Sequence, residues 1–153
     1  MAAFLIAVHA LAAVVWVGGM FFAYQVLRPA AAGLALAERL PLWSRVFGRF
    51  FLWVWLSVIA LLVTGYGMIF GVYGGMAAAG THIHIMHGLG WLMFLAFGHL
   101  FFVPWKRLRT ALAAGSLDEA ARHLNQIRWI VAVNLALGLI VVVVASGGRF
   151  GLV

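Results

Sequence analysis

The chain has no cysteine, and only three acidic residues against ten basic ones in 153 positions. Without thiols there is no disulfide, no thiolate metal site and no iron–sulfur cluster. The three acids, Glu38, Asp118 and Glu119, all fall outside the long apolar runs. No carboxylate pair is therefore placed for acid–base catalysis or for an acidic proton relay within a membrane. No serine–histidine–acid set and no glycine-rich phosphate loop is evident either. Proline is scarce, at positions 29, 41 and 104, and none lies at the centre of an apolar run.

What the chain has in abundance is apolar surface. Hydrophobic residues make up 67% and charged ones only 8%, against about 25% charged in ordinary soluble domains. The apolar residues gather in four blocks, 4–27, 50–72, 83–105 and 129–146, and none contains a carboxylate, lysine or arginine. Each is long enough for the ~20 residues that cross a bilayer core. These blocks predict an all-α integral membrane protein, a four-transmembrane-helix up-down bundle forming one domain over 1–153. The first block lacks a basic leader and exceeds the length of a signal-peptide core, so it is expected to be a retained span.

The net charge of +7 sets orientation and does not point to nucleic acid. Four arginines (28, 39, 45 and 49) lie between blocks one and two, and Lys106, Arg107, Arg109, Arg122 and Arg128 lie between blocks three and four. The positive-inside rule puts both loops in the cytoplasm, giving N-out/C-out topology. The lipid bilayer is the expected partner. Span one is predicted to stop at Arg28-Pro29, with a short interfacial helix around Glu38-Arg39 and a new helix starting at Pro41. Span three is predicted to run past Pro104 to about Gly115. Ser116-Leu-Asp-Glu119 fits a capping box, which starts the fourth helix near Leu117. Helices three and four thus extend into the cytoplasm as a hairpin.

Ionisable groups are costly in a bilayer and so are candidates for function. Here they are histidines: His9 in block one, and THIHIMH plus His99 in and before block three. His9 and His87 each lie ~8 Å from the outer end of their span and can face one another. His84 sits one turn further out, and His82 falls at the water interface. His99 is ~18 Å further along helix three, where Asn134 of helix four is its expected hydrogen-bond partner. At 100° per residue Trp16 shares a stripe with His9, and Trp91 shares one with His84. Met86 is a soft ligand among the outer histidines. Imidazoles with a thioether suit a copper ion, while paired imidazoles flanked by Trp16 and Trp91 suit haem b.

Several stretches match a known pattern. HALAAVVWVGGMFFAYQVLRPA carries a first-span histidine followed by Trp16-x-Gly18-Gly19, and RVFGRFFLWVWLSVIALLVTGYGMIF is an arginine-led second span ending in Thr64-Gly65. With HIMHGLG and NQIRWIVAVNLALGLIVVVVASGGR, they resemble the CopD-type (copper resistance D) membrane proteins of bacteria, in a small four-span branch. The resemblance implies copper handling at the bacterial inner membrane, with a periplasmic metal donor as partner. The first-span pattern is also similar to HemJ-type protoporphyrinogen oxidases, which implies b-type haem; the chain departs from them in having no lysine in span three.

The expectation is therefore a membrane metal-site protein, able to form homo-oligomers, that binds and transfers or imports copper. His9, His84 and His87 are the metal ligands, with Met86 as a soft fourth. His99 is an inner station. The alternatives are a bis-histidine b-type haem protein, for electron transfer or HemJ-like oxidation, and a non-catalytic assembly subunit.

Overall fold

A computed structural model describes residues 1–151, Arg149 through its backbone alone. Helix α1 (Ala2–Phe21) passes through a π-helical segment, Phe22–Leu27, into the short α2 (Arg28–Ala30) and a 3₁₀ turn, Ala31–Gly33. Helix α3 (Leu36–Gly71) follows, then a 3₁₀ turn at Met76–Ala78 and α4 (Thr81–Phe102). Helices α5 (Pro104–Ala113) and α6 (Leu117–Gly147) and a 3₁₀ turn, Gly148–Phe150, complete the elements of the described residues. Four helical runs, Ala2–Gly33, Leu36–Gly71, Thr81–Ala113 and Leu117–Gly147, are long and apolar enough to cross a membrane. The molecule is an all-α four-helix bundle of membrane-spanning character.

Helix boundaries depart from the sequence expectation in three places. Span one does not stop at Arg28-Pro29 but stays helical to Gly33. Proline normally clashes with the carbonyl four residues back, and the wider π turn just before Pro29 makes room for it. No separate interfacial helix forms. Glu38 lies in the first turn of α3, and Pro41 is inside that helix. The capping box at the start of α6 is also not formed, since Ser116 makes no side-chain cap bond. Its backbone is already committed. Gly115 adopts φ +71°, and the Gly115 and Ser116 amides bond back to Leu112 and Ala111, a Schellman ending for α5.

Helix three does run on past Pro104 to Ala113, but with a break at Val103. Proline there can only open a new turn, so α5 leaves α4 at an angle set by Val103 (φ −114°, ψ −80°).

The helices pair as two antiparallel hairpins. Helix α1 lies along α3, and α4 and α5 lie along α6. In lipid no hydrophobic effect drives helices together, so small residues and close packing must do it. Gly19 shows this: a Cβ there would fall onto the Phe50 ring of α3. Gly138 of α6 does the same where three helices meet, with Val17 and Met93 against it.

An aromatic cluster closes the basic end of the bundle. Phe51 stacks on Phe47 at 5.2 Å and meets Phe97 and Trp105 edge-on at 5.6 and 5.2 Å. Trp55 packs on Phe97 and Phe101 at 5.2 and 5.5 Å. Each such pair contributes roughly 0.5–1.5 kcal/mol beyond burial, so α3 and α4 are fixed firmly at this end.

Candidate metal-handling cavity

At the other end the hairpins part around a cavity of about 520 Å³. All four long helices line it, and its walls are mostly apolar. Gly138 of α6 and Ala10 and Ala13 of α1 are among the small residues on its wall. The polar groups that reach it include His9, Tyr66, His82 and His87.

His9 is oriented by α3. Its Nδ1 lies 2.8 Å from Thr64 Oγ1, and the Thr64 hydroxyl donates to the Ala60 carbonyl at 2.6 Å. A threonine hydroxyl has one hydrogen. With that hydrogen on Ala60, the His9 Nδ1–H must be the donor to Thr64. The proton is thereby assigned to Nδ1, and Nε2 carries a lone pair, the form a metal ligand needs. Gly65 lies beneath the ring, where a Cβ would come into ordinary contact at 3.4 Å from His9 Cε1.

His87 is tethered to the same helix two residues on. Its Nε2 is 3.0 Å from the Tyr66 hydroxyl, and the Trp91 indole N–H lies 3.2 Å from both atoms. The indole can only donate. Whichever acceptor it chooses, His87 Nε2 is engaged in this trio and Nδ1 is the ring nitrogen free of it. Thr64, Gly65 and Tyr66 thus serve both histidines, one to each side of a single turn of α3. Thr64 and Gly65 stood out in the sequence only as part of a family pattern, and their hydrogen-bonding role carried no signal of its own.

The remaining candidates divide. His82 is half-buried and lines the cavity, and its side chain fills the space a Cβ on Gly148 would need. His84 is exposed and not on the cavity wall. At this turn of α4 the inward face carries 82, 83, 86 and 87, which leaves 84 outside. His99 is also exposed and away from the cavity. Asn134 does not partner it. The Asn134 amide donates to the Met93 carbonyl at 3.3 Å, and its Oδ1 has no partner. Trp16 is 2% exposed and stacks on Phe94 at 5.6 Å. Trp91 sits at the rim, 40% exposed. Met86 reaches the cavity, as do Met68 and Met93; Met20 and Met76 do not.

The donor set available here is imidazole plus thioether. Among the described residues no group of three histidine, cysteine or carboxylate side chains converges on one point. An all-histidine site is therefore not preassembled, and thioethers would have to complete any coordination sphere.

Residues 44–147 match the family described as copper resistance protein D, CopD. The chain belongs to the CopD family. The match takes in α3 from Ser44 onward and the whole of the second hairpin as far as Gly147. No curated protein and no solved structure matches the chain. It is a multi-pass membrane protein, in keeping with the inner-membrane location of a CopD-type chain.

Proposed function

We propose that this CopD-family protein binds monovalent copper in the cavity and transfers it into or across the membrane. The observation that carries the reading is the His9–Thr64–Ala60 chain, which leaves Nε2 as the unprotonated nitrogen of a histidine lining the same cavity as Met68, Met86 and Met93. Imidazole with thioether is a donor set suited to Cu(I). The cavity has no carboxylate to offset a doubly charged ion, and burying such a charge unpaired is costly. On this reading His82 receives the ion at the mouth, His9 holds it, and the thioethers pass it inward. The positive-inside rule supports placing the cavity at the periplasmic side, N-out and C-out, with the α5–α6 turn in the cytoplasm. A periplasmic donor would then load it.

The test is a Cu(I) competition titration of the purified protein against a chromophoric chelator. Wild type should take up copper near stoichiometrically. His9→Ala should lose at least tenfold in affinity, the range seen when metal sites lose an orienting or ligating group. Equal affinity in the two proteins would remove His9 from the site.

A second reading is b-type haem, favoured by size. The cavity lies within the ~300–1,000 Å³ of small-molecule sites and exceeds the need of one ion. Trp16 and Trp91 would then wall the ring, with His9 Nε2 as axial ligand. A Soret band that sharpens on dithionite reduction, with matching iron, would replace copper by haem as the bound group.

A further inference from the structure

The basic end of the bundle holds a second site of different chemistry. Arg28 of α2, Arg39 of α3 and Arg128 of α6 come together there from three helices. Arg28, Arg128 and Tyr24 line one small cavity, and Arg39 is near enough for its charge to act on Arg128. Arg28 lies over the Tyr24 ring at 4.8 Å, and Arg39 Nη1 donates weakly to the Ala32 carbonyl at 3.4 Å. Among the described residues no carboxylate pairs with any of the three, and the only close carboxylate contact is Glu119 with His123 at 3.7 Å. Three half-buried like charges repel one another, and a bound anion would offset that repulsion.

A separate observation places unpartnered donors at the same end of the bundle. Arg28, Arg128 and Trp43 line this small cavity of about 10 Å³ together with Ala23, Tyr24, Phe47 and Val131. Trp43 is 2% exposed, yet its indole N–H has no partner. The Nε of Arg128 and that of Arg39 are likewise buried and unpartnered. An unsatisfied buried donor costs roughly as much as a lost hydrogen bond, so most such groups in native proteins have a partner, whether protein, water or ligand. Tyr24 lines this cavity as well and its walls are almost wholly apolar, so an anion would lie against the arginines at its edge and not within it.

We propose that Arg28, Arg39, Arg128 and the Trp43 indole form a binding site for a phosphate oxyanion, presented by the head group of an anionic phospholipid. The surroundings favour a lipid over free phosphate. Next to the arginines, exposed apolar side chains (Phe22 and Val26 on the first span, Trp129 beside Arg128) offer a surface for acyl chains. An interfacial tryptophan beside a basic cluster is the usual setting for head-group contact.

The experiment is native mass spectrometry of the full chain in detergent, with added phosphatidylglycerol, with phosphatidylcholine of the same acyl chains, or with inorganic phosphate. Wild type should retain one phosphatidylglycerol per chain in preference to phosphatidylcholine. Arg128→Gln should weaken that retention about fivefold, the effect of one basic residue at a lipid surface. Arg45→Gln, an exposed change of equal charge, should not. Trp43→Phe keeps the ring's bulk and removes only the N–H, so it tests the site even if Arg128→Gln misfolds; it too should release lipid. Equal retention of the two lipids, or equal loss in Arg128→Gln and Arg45→Gln, would overturn the site. Inorganic phosphate that displaces phosphatidylglycerol and stabilises the lipid-free protein equally well would overturn the lipid as its source.

Discussion

Thr64 accepts the His9 Nδ1–H at 2.8 Å while its own hydroxyl is spent on the Ala60 carbonyl at 2.6 Å. The hydroxyl therefore works as a fixed acceptor, and a helix backbone decides which histidine nitrogen is free.

Thr64→Val tests this directly, because it keeps the shape and removes the oxygen. His9 should lose its orientation, and Cu(I) affinity should fall roughly 10–100-fold, as it does when a partner of a metal-binding histidine is removed. Thr64→Ser should retain most of the affinity. If valine binds as tightly as threonine, His9 is not oriented by this bond.

Tyr66, His87 and Trp91 form a unit. Tyr66→Phe and Trp91→Phe should each destabilise the protein by about 1 kcal/mol, the net value of one hydrogen bond. The double variant should cost less than the sum, because both groups share one acceptor network. Thermal unfolding in detergent gives the comparison. Strict additivity would mean that the trio is three side chains packed side by side.

His84→Ala and His99→Ala should leave copper affinity at the wild-type value, since both side chains are exposed and outside the cavity. His82→Ala should slow copper loading, measured by stopped-flow transfer from a chelator, more than it changes affinity at equilibrium. A loss of affinity in His84→Ala would return that residue to the site.

Gly138→Ala should destabilise by roughly 1–3 kcal/mol, the usual cost of overpacking. Its new Cβ would stand 2.9 Å from Val17 Cγ2 and 3.1 Å from Met93 Cε. Val17→Ala in the same chain should recover part of the loss. An unchanged melting temperature in Gly138→Ala would show that the three helices shift apart freely.

Because the natural chain has no cysteine, its orientation can be read with single introduced thiols. Ala77→Cys should react with an impermeant maleimide from the periplasmic side, and Ser116→Cys only after the membrane is permeabilised. The reverse pattern would invert the topology.

The four spans were legible because an apolar block without charges has few other fates; at the cavity end the blocks stop within two residues of the helix ends, whereas at the basic end the helices run on by 6 to 14 residues. The helix joints were not. Pro29 and Pro41 read locally as breaks, but a π turn and a continuous α3 accommodate them. Ser116 read as a cap, but its backbone was already taken by the end of α5. Within the site, depth placed His9 and His87 on one cavity. A wheel at 100° per residue did not separate His82 from His84, because that decision rests on how α4 rotates against α6. Thr64 carries no signal beyond its family pattern, since a lone threonine in a span normally bonds its own backbone and this one does both.

The two ends of the α3–α4 contact are built from different materials. At the basic end they are held by interlocked rings of Phe51, Trp55, Phe97 and Phe101. At the cavity end the hydrogen bonds joining them are those of Tyr66, His87 and Trp91. A ring cluster resists separation over a broad contact, whereas a hydrogen bond releases over a fraction of an ångström. The molecule is thus made like a clothes-peg. On the copper reading, admitting an ion between the hairpins at this end would break the Tyr66–His87 hydrogen bond, while His9 and Thr64, both of the first hairpin, would move together.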